Sequence, residues 1–291
     1  MSAITRRELL VSAVGGIAVA RTRDSPAFEK RLIQLEEKSG GRLGVAVLDT
    51  ATGVQAGYRR DERFPMCSTV KLLAVAAVLL RTDRGEEQLD RIVHFTKSDI
   101  VPYSPVTETR AGDRGISIKE LCAAAMTLSD NTANNLVLAT IGGPKGLTAF
   151  ARTIGDDKTR LDRIEPELNE SLPSDPRDTT TPLAMLSDLR TLALGNVLSE
   201  PAKTQLREWL IANKTGDTRL RAGLPSRWKV GDKTGTGKKG TANDVAIAWP
   251  PGRAPILVSV YLTGARVDGN GQNRAVAAVG TEIPSLVKLE G

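Results

Sequence analysis

Nine consecutive residues, Leu72-Leu73-Ala74-Val75-Ala76-Ala77-Val78-Leu79-Leu80, contain no polar side chain, no glycine and no proline. The run reads as a helix with no solvent face, and such a helix must be enclosed by the rest of the chain. At its amino end stands Pro65-Met66-Cys67-Ser68-Thr69-Val70-Lys71. Serine is a favoured helix cap, which suits Ser68 to the start of that helix. Lys71, three residues on, shares a helix face with it, with Cβ atoms about 5–6 Å apart. A hydroxyl at the positive end of a helix, beside an amine in a partly apolar setting, is a candidate activated nucleophile. The same Ser-x-x-Lys spacing recurs from Ser226 to Lys229 and from Ser285 to Lys288, but only the first is followed by a long buried helix.

The elements around this helix are ordered. Pro26 to Ser39 has helical spacing at Phe28, Leu32, Ile33 and Leu35 and stops at Gly40-Gly41. Leu43 to Asp49 and Val54 to Tyr58 read as a hairpin turned at Thr52-Gly53. Between Ser68 and Leu210 the pattern is helical: Lys119 to Leu128, Asn131 to Ile141, Gly146 to Thr153, Leu183 to Leu194 and Pro201 to Ile211. Residues 155–181 are rich in charge and proline and lack periodicity; a loop of that length inside a compact domain is usually functional. Strand chemistry returns at Trp228 to Thr236, Asp244 to Trp249 and Ile256 to Thr263, and a last helix spans Asn273 to Leu289, interrupted near Pro284. Strands at both ends and helices in the middle imply a mixed α and β fold. One five-stranded antiparallel sheet, built from 26–60 and 213–291 and covered by the terminal helices, carries an all-helical insertion, 61–212. The cleft between the two halves is the expected site.

Residues 1–20 read as an export signal. Thr5-Arg6-Arg7-Glu8-Leu9-Leu10 has a twin arginine, Leu9 to Ala20 is mildly apolar but too short to span a bilayer, and Ala18-Val19-Ala20 suits cleavage. Export to the periplasm or beyond is expected, with no membrane anchor after cleavage, and nothing points to an oligomer, so a monomer is expected. The chain of 291 residues carries a net charge of +6, but its Lys and Arg are scattered and aromatic residues are only 3%, too few for base-stacking platforms; nucleic acid is not an expected partner. The single histidine, His94, excludes a multi-histidine zinc site and argues against a Ser-His-Asp triad; it reads as structural. No metal or organic cofactor is called for. Cys67 and Cys122, the two cysteines, are expected to be free thiols.

Three further motifs accompany Ser68 and Lys71. Ser129-Asp130-Asn131 lies between two helical segments, where a helix cap is the plain alternative reading. Lys-Thr-Gly occurs twice; Lys214-Thr215-Gly216 reads as a helix C-terminal turn, whereas Lys233-Thr234-Gly235, continuing into Thr236-Gly237, lies at a strand end where glycine lets a ligand approach the backbone. The long loop holds Arg163-Ile164-Glu165-Pro166-Glu167-Leu168-Asn169.

In this order, Ser68-x-x-Lys71, Ser129-Asp130-Asn131, Glu165-Pro166-Glu167-Leu168-Asn169 and Lys233-Thr234-Gly235 closely resemble the class A serine β-lactamases over about residues 26–289. The resemblance implies a β-lactam as substrate and Ser68 as nucleophile, with Lys71 or Glu165 as its base. It implies Ser129 as proton donor to the leaving nitrogen and Asn131 as a partner for the substrate's acylamide. Glu165 with Asn169 would activate the hydrolytic water. Lys233, Thr234 and Thr236 would bind the substrate carboxylate, the backbone N–H groups of Ser68 and Thr236 would form the oxyanion hole, and Tyr103 would wall the cleft. It also implies an Arg163–Asp178 pair that pins the loop and a cis Glu165–Pro166 bond. Two departures stand out. Many relatives have a cysteine at the position of Val75, bridged to that of Cys122, and a carboxylate-binding arginine at that of Ala242. Arg219 resembles the alternative arginine of other members, so Arg219→Ala is expected to raise KM with the fold intact. Without the Glu165 carboxylate the same set would fit a D-alanyl-D-alanine peptidase or a β-lactam sensor.

Overall fold

The computed structural model describes residues 21–22, 25–112 and 114–287. The expected signal segment, and the extension of the last helix to Leu289, lie outside these.

In chain order the elements are β1 (Arg21–Thr22), α1 (Pro26–Ser39), β2 (Arg42–Asp49), β3 (Val54–Tyr58), β4 (Phe64–Pro65), a 3-10 turn over Cys67–Val70 and α2 (Lys71–Asp83). There follow β5 (Ile92–Val93), β6 (Ile116–Ser117), α3 (Ile118–Thr127), α4 (Asn131–Thr140), α5 (Gly143–Thr153), β7 (Thr179–Thr180), α6 (Pro182–Ala193) and α7 (Glu200–Ile211). The chain closes with α8 (Leu220–Gly223), β8 (Lys229–Gly237), β9 (Thr241–Trp249), β10 (Ile256–Thr263) and α9 (Gly269–Leu286).

The main sheet runs β1-β3-β2-β10-β9-β8. Its five long strands pair antiparallel, as the sequence implies, and β1 adds a two-residue parallel edge on β3, which makes six. Two short ribbons, β4 with β7 and β5 with β6, also escape the sequence reading, because two-residue strands carry no periodicity. Alternate side chains of the sheet enter two different cores. Leu43, Val45 and Val47 of β2, with Ala246 of β9 and Val258 and Val260 of β10, pack under α1, α8 and α9. Ala46, Leu48, Val245, Ile247, Leu257 and Tyr261 point the other way, into the core built on α2. Both sheet faces are therefore covered, so these strands read as continuous apolar runs rather than as alternation.

Residues 72–80 are all buried, as the run demands. The cap assignment does not hold: Ser68 sits inside the 3-10 turn ahead of α2, and that helix start has no side-chain cap. Elsewhere side-chain caps are in place, Ser117 on α3, Asp130 on α4, Thr181 on α6, Ser199 on α7 and Asp268 on α9. The Asp268 cap starts α9 earlier than its apolar spacing indicated, and the helix continues past Pro284 to Leu286 rather than breaking there.

Candidate active site

Ser68, Tyr103, Ser129, Asn131, Asn169, Arg219, Thr234 and Thr236 line one cleft of about 340 Å3, together with Thr215. Lys71, Glu165 and Lys233 lie against these residues, at most 1% exposed. The structure thus gathers every sequence-predicted site residue, from the 3-10 turn and α2, from Tyr103 between β5 and β6, from the α3–α4 junction, from the long loop, from Arg219 just before α8 and from β8.

The positions are fixed by backbone that few residues adopt. Cys67, Tyr103 and Ser129 have φ of 47°, 65° and 58°. Non-glycine residues held there cost energy that the surrounding structure must supply, and such residues cluster at functional sites. Because Ser68 caps nothing, its hydroxyl is free to face the cleft. Strand β8 runs hard against the same turn: a Cβ on Gly235 would meet Met66 O at 2.7 Å and Thr69 N at 3.2 Å, and one on Gly237 would meet Cys67 Sγ at 2.6 Å and Ser171 Oγ at 2.5 Å. Glycine at both positions is what allows Thr236 to stand opposite Ser68. The loop is clamped to this edge by Lys238 N–H, which donates to Asn169 O at 2.8 Å.

Polar contacts converge on two amines. Lys71 Nζ lies 3.0 Å from Glu165 Oε1. It donates to Asn131 Oδ1 and to Ser129 O, both at 2.7 Å, and to Ser129 Oγ at 3.3 Å. Lys233 Nζ donates to the same Ser129 hydroxyl oxygen at 3.1 Å, and to Thr234 O at 2.9 Å. The Ser68 hydroxyl donates to Glu165 Oε1 at 3.4 Å. Asn169 Nδ2 donates to Glu165 Oε2, while Asn169 Oδ1 is buried and accepts from no group among the described residues. Asn131 Nδ2 donates to Pro102 O at 2.8 Å and has a second hydrogen to offer.

Burial sets the charge balance. It pulls the Lys71 ammonium below the ordinary lysine range, and the nearby Glu165 carboxylate opposes it without reversing it. Lys233 is drawn down to about 7, by burial first and by repulsion from Lys71 second, with Asp232 opposing. Behind β8, burial raises Asp232 and Asp244, the latter well above the carboxylate range. Burial also pushes the Cys67 thiol up to about 12, so this sulfur beside the nucleophile is itself a poor one.

The loop is held by Arg163, whose Nε lies 2.5 Å from Asp178 Oδ2 and whose Nη1 meets Glu170, and the Glu165–Pro166 bond is cis. A buried carboxylate in hydrogen-bond reach of a serine hydroxyl and of a lysine amine, with a second lysine and serine alongside, can move protons to and from that serine.

The chain matches the Beta-lactamase enzyme family model over residues 27–286. It is 46% identical over 288 residues to β-lactamase AST-1 of Nocardia asteroides, covering 94% of this chain and 93% of the relative. It is 52% identical over 235 residues to β-lactamase CTX-M-8 of Citrobacter amalonaticus, covering 81% and 80%. The solved structure of an ancestral (GNCA) class A β-lactamase superposes with a TM-score of 0.88 at 61% identity, covering 89% of this chain and 99% of that one. This chain belongs to the class A β-lactamases.

Within that family frame the departures seen in the sequence stand. Val75 occupies α2, and Cys67 and Cys122 are free and buried. Ala242 is buried on β9, and the cationic group at this cleft wall is Arg219. Its Nη2 donates to Thr236 Oγ1 at 2.6 Å, Nη1 to Gly235 O at 2.8 Å and Asn243 O at 2.7 Å, and Nε to Asn273 Oδ1 at 2.9 Å. Arg219 therefore ties β8, β9 and α9 together as well as facing the cleft.

Sequence reasoning missed two residues of this β-lactamase site. Thr215 lines the cleft, its hydroxyl 2.5 Å from that of Thr234; the signal was the first Lys-Thr-Gly, read only as a turn. Asn135 grips Glu165 by the backbone, accepting from its N–H and donating to its carbonyl, each at 2.9 Å. Its spacing from Asn131, one helical turn along α4, was the available clue.

Proposed function

We propose that this chain hydrolyses the amide bond of penicillins and cephalosporins through an ester on Ser68, and so confers β-lactam resistance. The observation that carries the reading is the buried Glu165 carboxylate, within 3.4 Å of the Ser68 hydroxyl and 3.0 Å of Lys71 Nζ. Ser68 Oγ attacks the lactam carbonyl and gives its proton to Lys71 or, through water, to Glu165. The C–N bond then breaks. Ser129, whose hydroxyl both lysines contact, protonates the departing nitrogen and is recharged from them. Backbone N–H groups of Ser68 and Thr236 stabilise the oxyanion, a contribution of about 10²–10³ in rate per donor in comparable sites. Asn131 Nδ2 holds the acylamide, Tyr103 walls the ring, and Lys233, Thr234, Thr236 and Arg219 take the substrate carboxylate, with Gly235 keeping the strand close. In the second half a water held by Asn169 Oδ1 and Glu165 attacks the ester, Glu165 takes its proton, and Ser68 leaves with a proton.

We propose further that residues 1–20 direct export by the twin-arginine route, and that the cleaved protein acts as a monomer in the periplasm or outside the cell. In this reading 26–60 and 213–291 form the sheet domain and 61–212 the helical one. No helix among the described residues is long and apolar enough to cross a membrane.

The test uses purified residues 21–291 and a chromogenic cephalosporin. Wild type is expected to turn over many equivalents; Glu165→Ala is expected to stop at one, with a long-lived acyl adduct seen by mass spectrometry. A wild type that releases only stoichiometric product would leave a penicillin-trapping protein instead.

A further inference from the structure

Away from the cleft, at the neck of the loop that carries Glu165, two carboxyl groups are buried against each other. Asp156 opens the loop and Asp188 projects from α6; they are 6% and 2% exposed, and they lie within hydrogen-bonding reach of one another. Asp156 Oδ1 accepts from Lys158 N at 2.7 Å and Thr159 N at 3.0 Å. The Oδ2 atoms of both residues are buried and accept from no donor among the described residues. They border a cavity of about 200 Å3 shared with Asp61, Gly155, Thr181 and Leu183. The charged and titratable groups facing the pair are few. Arg152 of α5 is exposed and hydrogen-bonds the Asp156 carbonyl rather than either carboxylate. Asp61, Asp157 and Lys158 lie exposed at the cavity rim, and Tyr261 of β10 faces the pair from the sheet with its hydroxyl hydrogen-bonded to Thr69.

Two ionised carboxylates in contact, with no cation bound to either carboxylate among the described residues, repel strongly, whereas one acid and one carboxylate make a short charge-assisted hydrogen bond. We infer that Asp156 and Asp188 share a single proton, Asp188 donating it to Asp156 Oδ2, and that this bond latches the neck of the catalytic loop onto α6. The strands of the neck meet at the same place: Thr159 and Thr180 hydroxyls are 2.7 Å apart, Arg160 N donates to Thr179 O at 3.0 Å, and Thr181 caps α6. The environments separate the two groups in the sense the bond requires. Burial, then Asp156, holds Asp188 well above the carboxylate range. Burial also works to raise Asp156, but the hydrogen bonds from Thr159 and Lys158 outweigh it and hold Asp156 below that range.

Because Asp188 is raised in the folded state, its proton stabilises the fold fully below the ordinary carboxylate pKa. That stabilisation is lost as pH climbs through the folded value. Asp188→Asn replaces the acid by a permanent amide donor and should not lose it. Melting temperature is measured from pH 4.5 to 8.5 for wild type, Asp188→Asn and Asp156→Asn. The margin of Asp188→Asn over wild type is expected to widen by about 4 °C or more across that range, with Asp156→Asn following it. Amide exchange at Thr159 and Thr180, compared at equal pH, should be faster in wild type than in Asp188→Asn above neutrality. If the variants do not fold, the Asp188 carboxyl ¹³C resonance of the wild type decides, and the inference requires it to titrate well above the usual range. Parallel melting curves, an ordinary Asp188 titration, or a wild type stabilised by millimolar Ca²⁺ and destabilised by chelator would overturn the shared proton, the last in favour of a bound cation.

Discussion

At the residue scale, the proposed mechanism makes turnover rather than trapping depend on the single carboxylate of Glu165, whose neighbours are tuned by burial as much as by charge. Lys71 is depressed by burial while Glu165 pulls the other way. Glu165→Gln should therefore lower the Lys71 pKa further, read from the lysine side-chain resonance by NMR; an unchanged or raised value would show that the carboxylate is not the dominant opposing charge. Lys233, drawn to about 7, is protonated below that pH and neutral above it. Since it is proposed to bind the substrate carboxylate, kcat/KM for a penicillin should fall on the alkaline side through a pKa near that value, and Lys233→Arg should move this limb to much higher pH. Arg219 needs a revised expectation. Replacing it by alanine strands buried carbonyl acceptors on β8 and β9, each costing about 1–3 kcal/mol, and releases the half-buried Asn273 of α9. Arg219→Ala is thus expected to lower the melting temperature as well as raise KM several-fold, by calorimetry and steady-state kinetics side by side. A stable variant with unchanged KM would remove it from both roles.

At the element scale, the site depends on how closely strand β8 approaches the turn before α2. Gly235→Ala would set a Cβ 2.7 Å from Met66 O and push the strand away from Ser68. Activity is expected to drop by about 10²-fold, as for loss of one oxyanion donor, with circular dichroism unchanged. Activity within a few-fold of wild type would show that the turn can yield. This closeness was only half legible. The Lys233-Thr234-Gly235 motif marked the strand, but the contact that demands glycine is with residues some 170 positions away in sequence. Thr215 was hidden for the same reason, since a turn after a helix looks alike whether it faces solvent or a cleft.

At the scale of the whole molecule, two cores lie on opposite faces of one sheet, and both thiols are buried in the interior. With Cys67 at about 12 and Cys122 raised by burial as well, neither should react in the folded protein. A thiol reagent is expected to titrate none in buffer and two in denaturant without reductant, so that the reaction reports unfolding. Rapid labelling of Cys67 in buffer would mean that the turn carrying Ser68 opens readily.

The sequence alone determined the features that depend on local chemistry. Pro26–Ser39 and Ile256–Thr263 match their elements residue for residue, and the enclosed run 72–80 and the free cysteines follow from residue type and count. The ordered motifs singled out Ser68, Lys71, Ser129, Glu165 and Lys233, because the chemistry needs those side chains whatever holds them. Tertiary structure decided what arises from meetings between distant segments. It freed the Ser68 hydroxyl from capping, gave Asn135 its grip on Glu165, brought Arg219 to the cleft wall, and set Asp156 against Asp188. None of these can be read along a chain, because burial and proximity, which fix a hydrogen bond's partner and a proton's home, exist only once the chain has closed on itself.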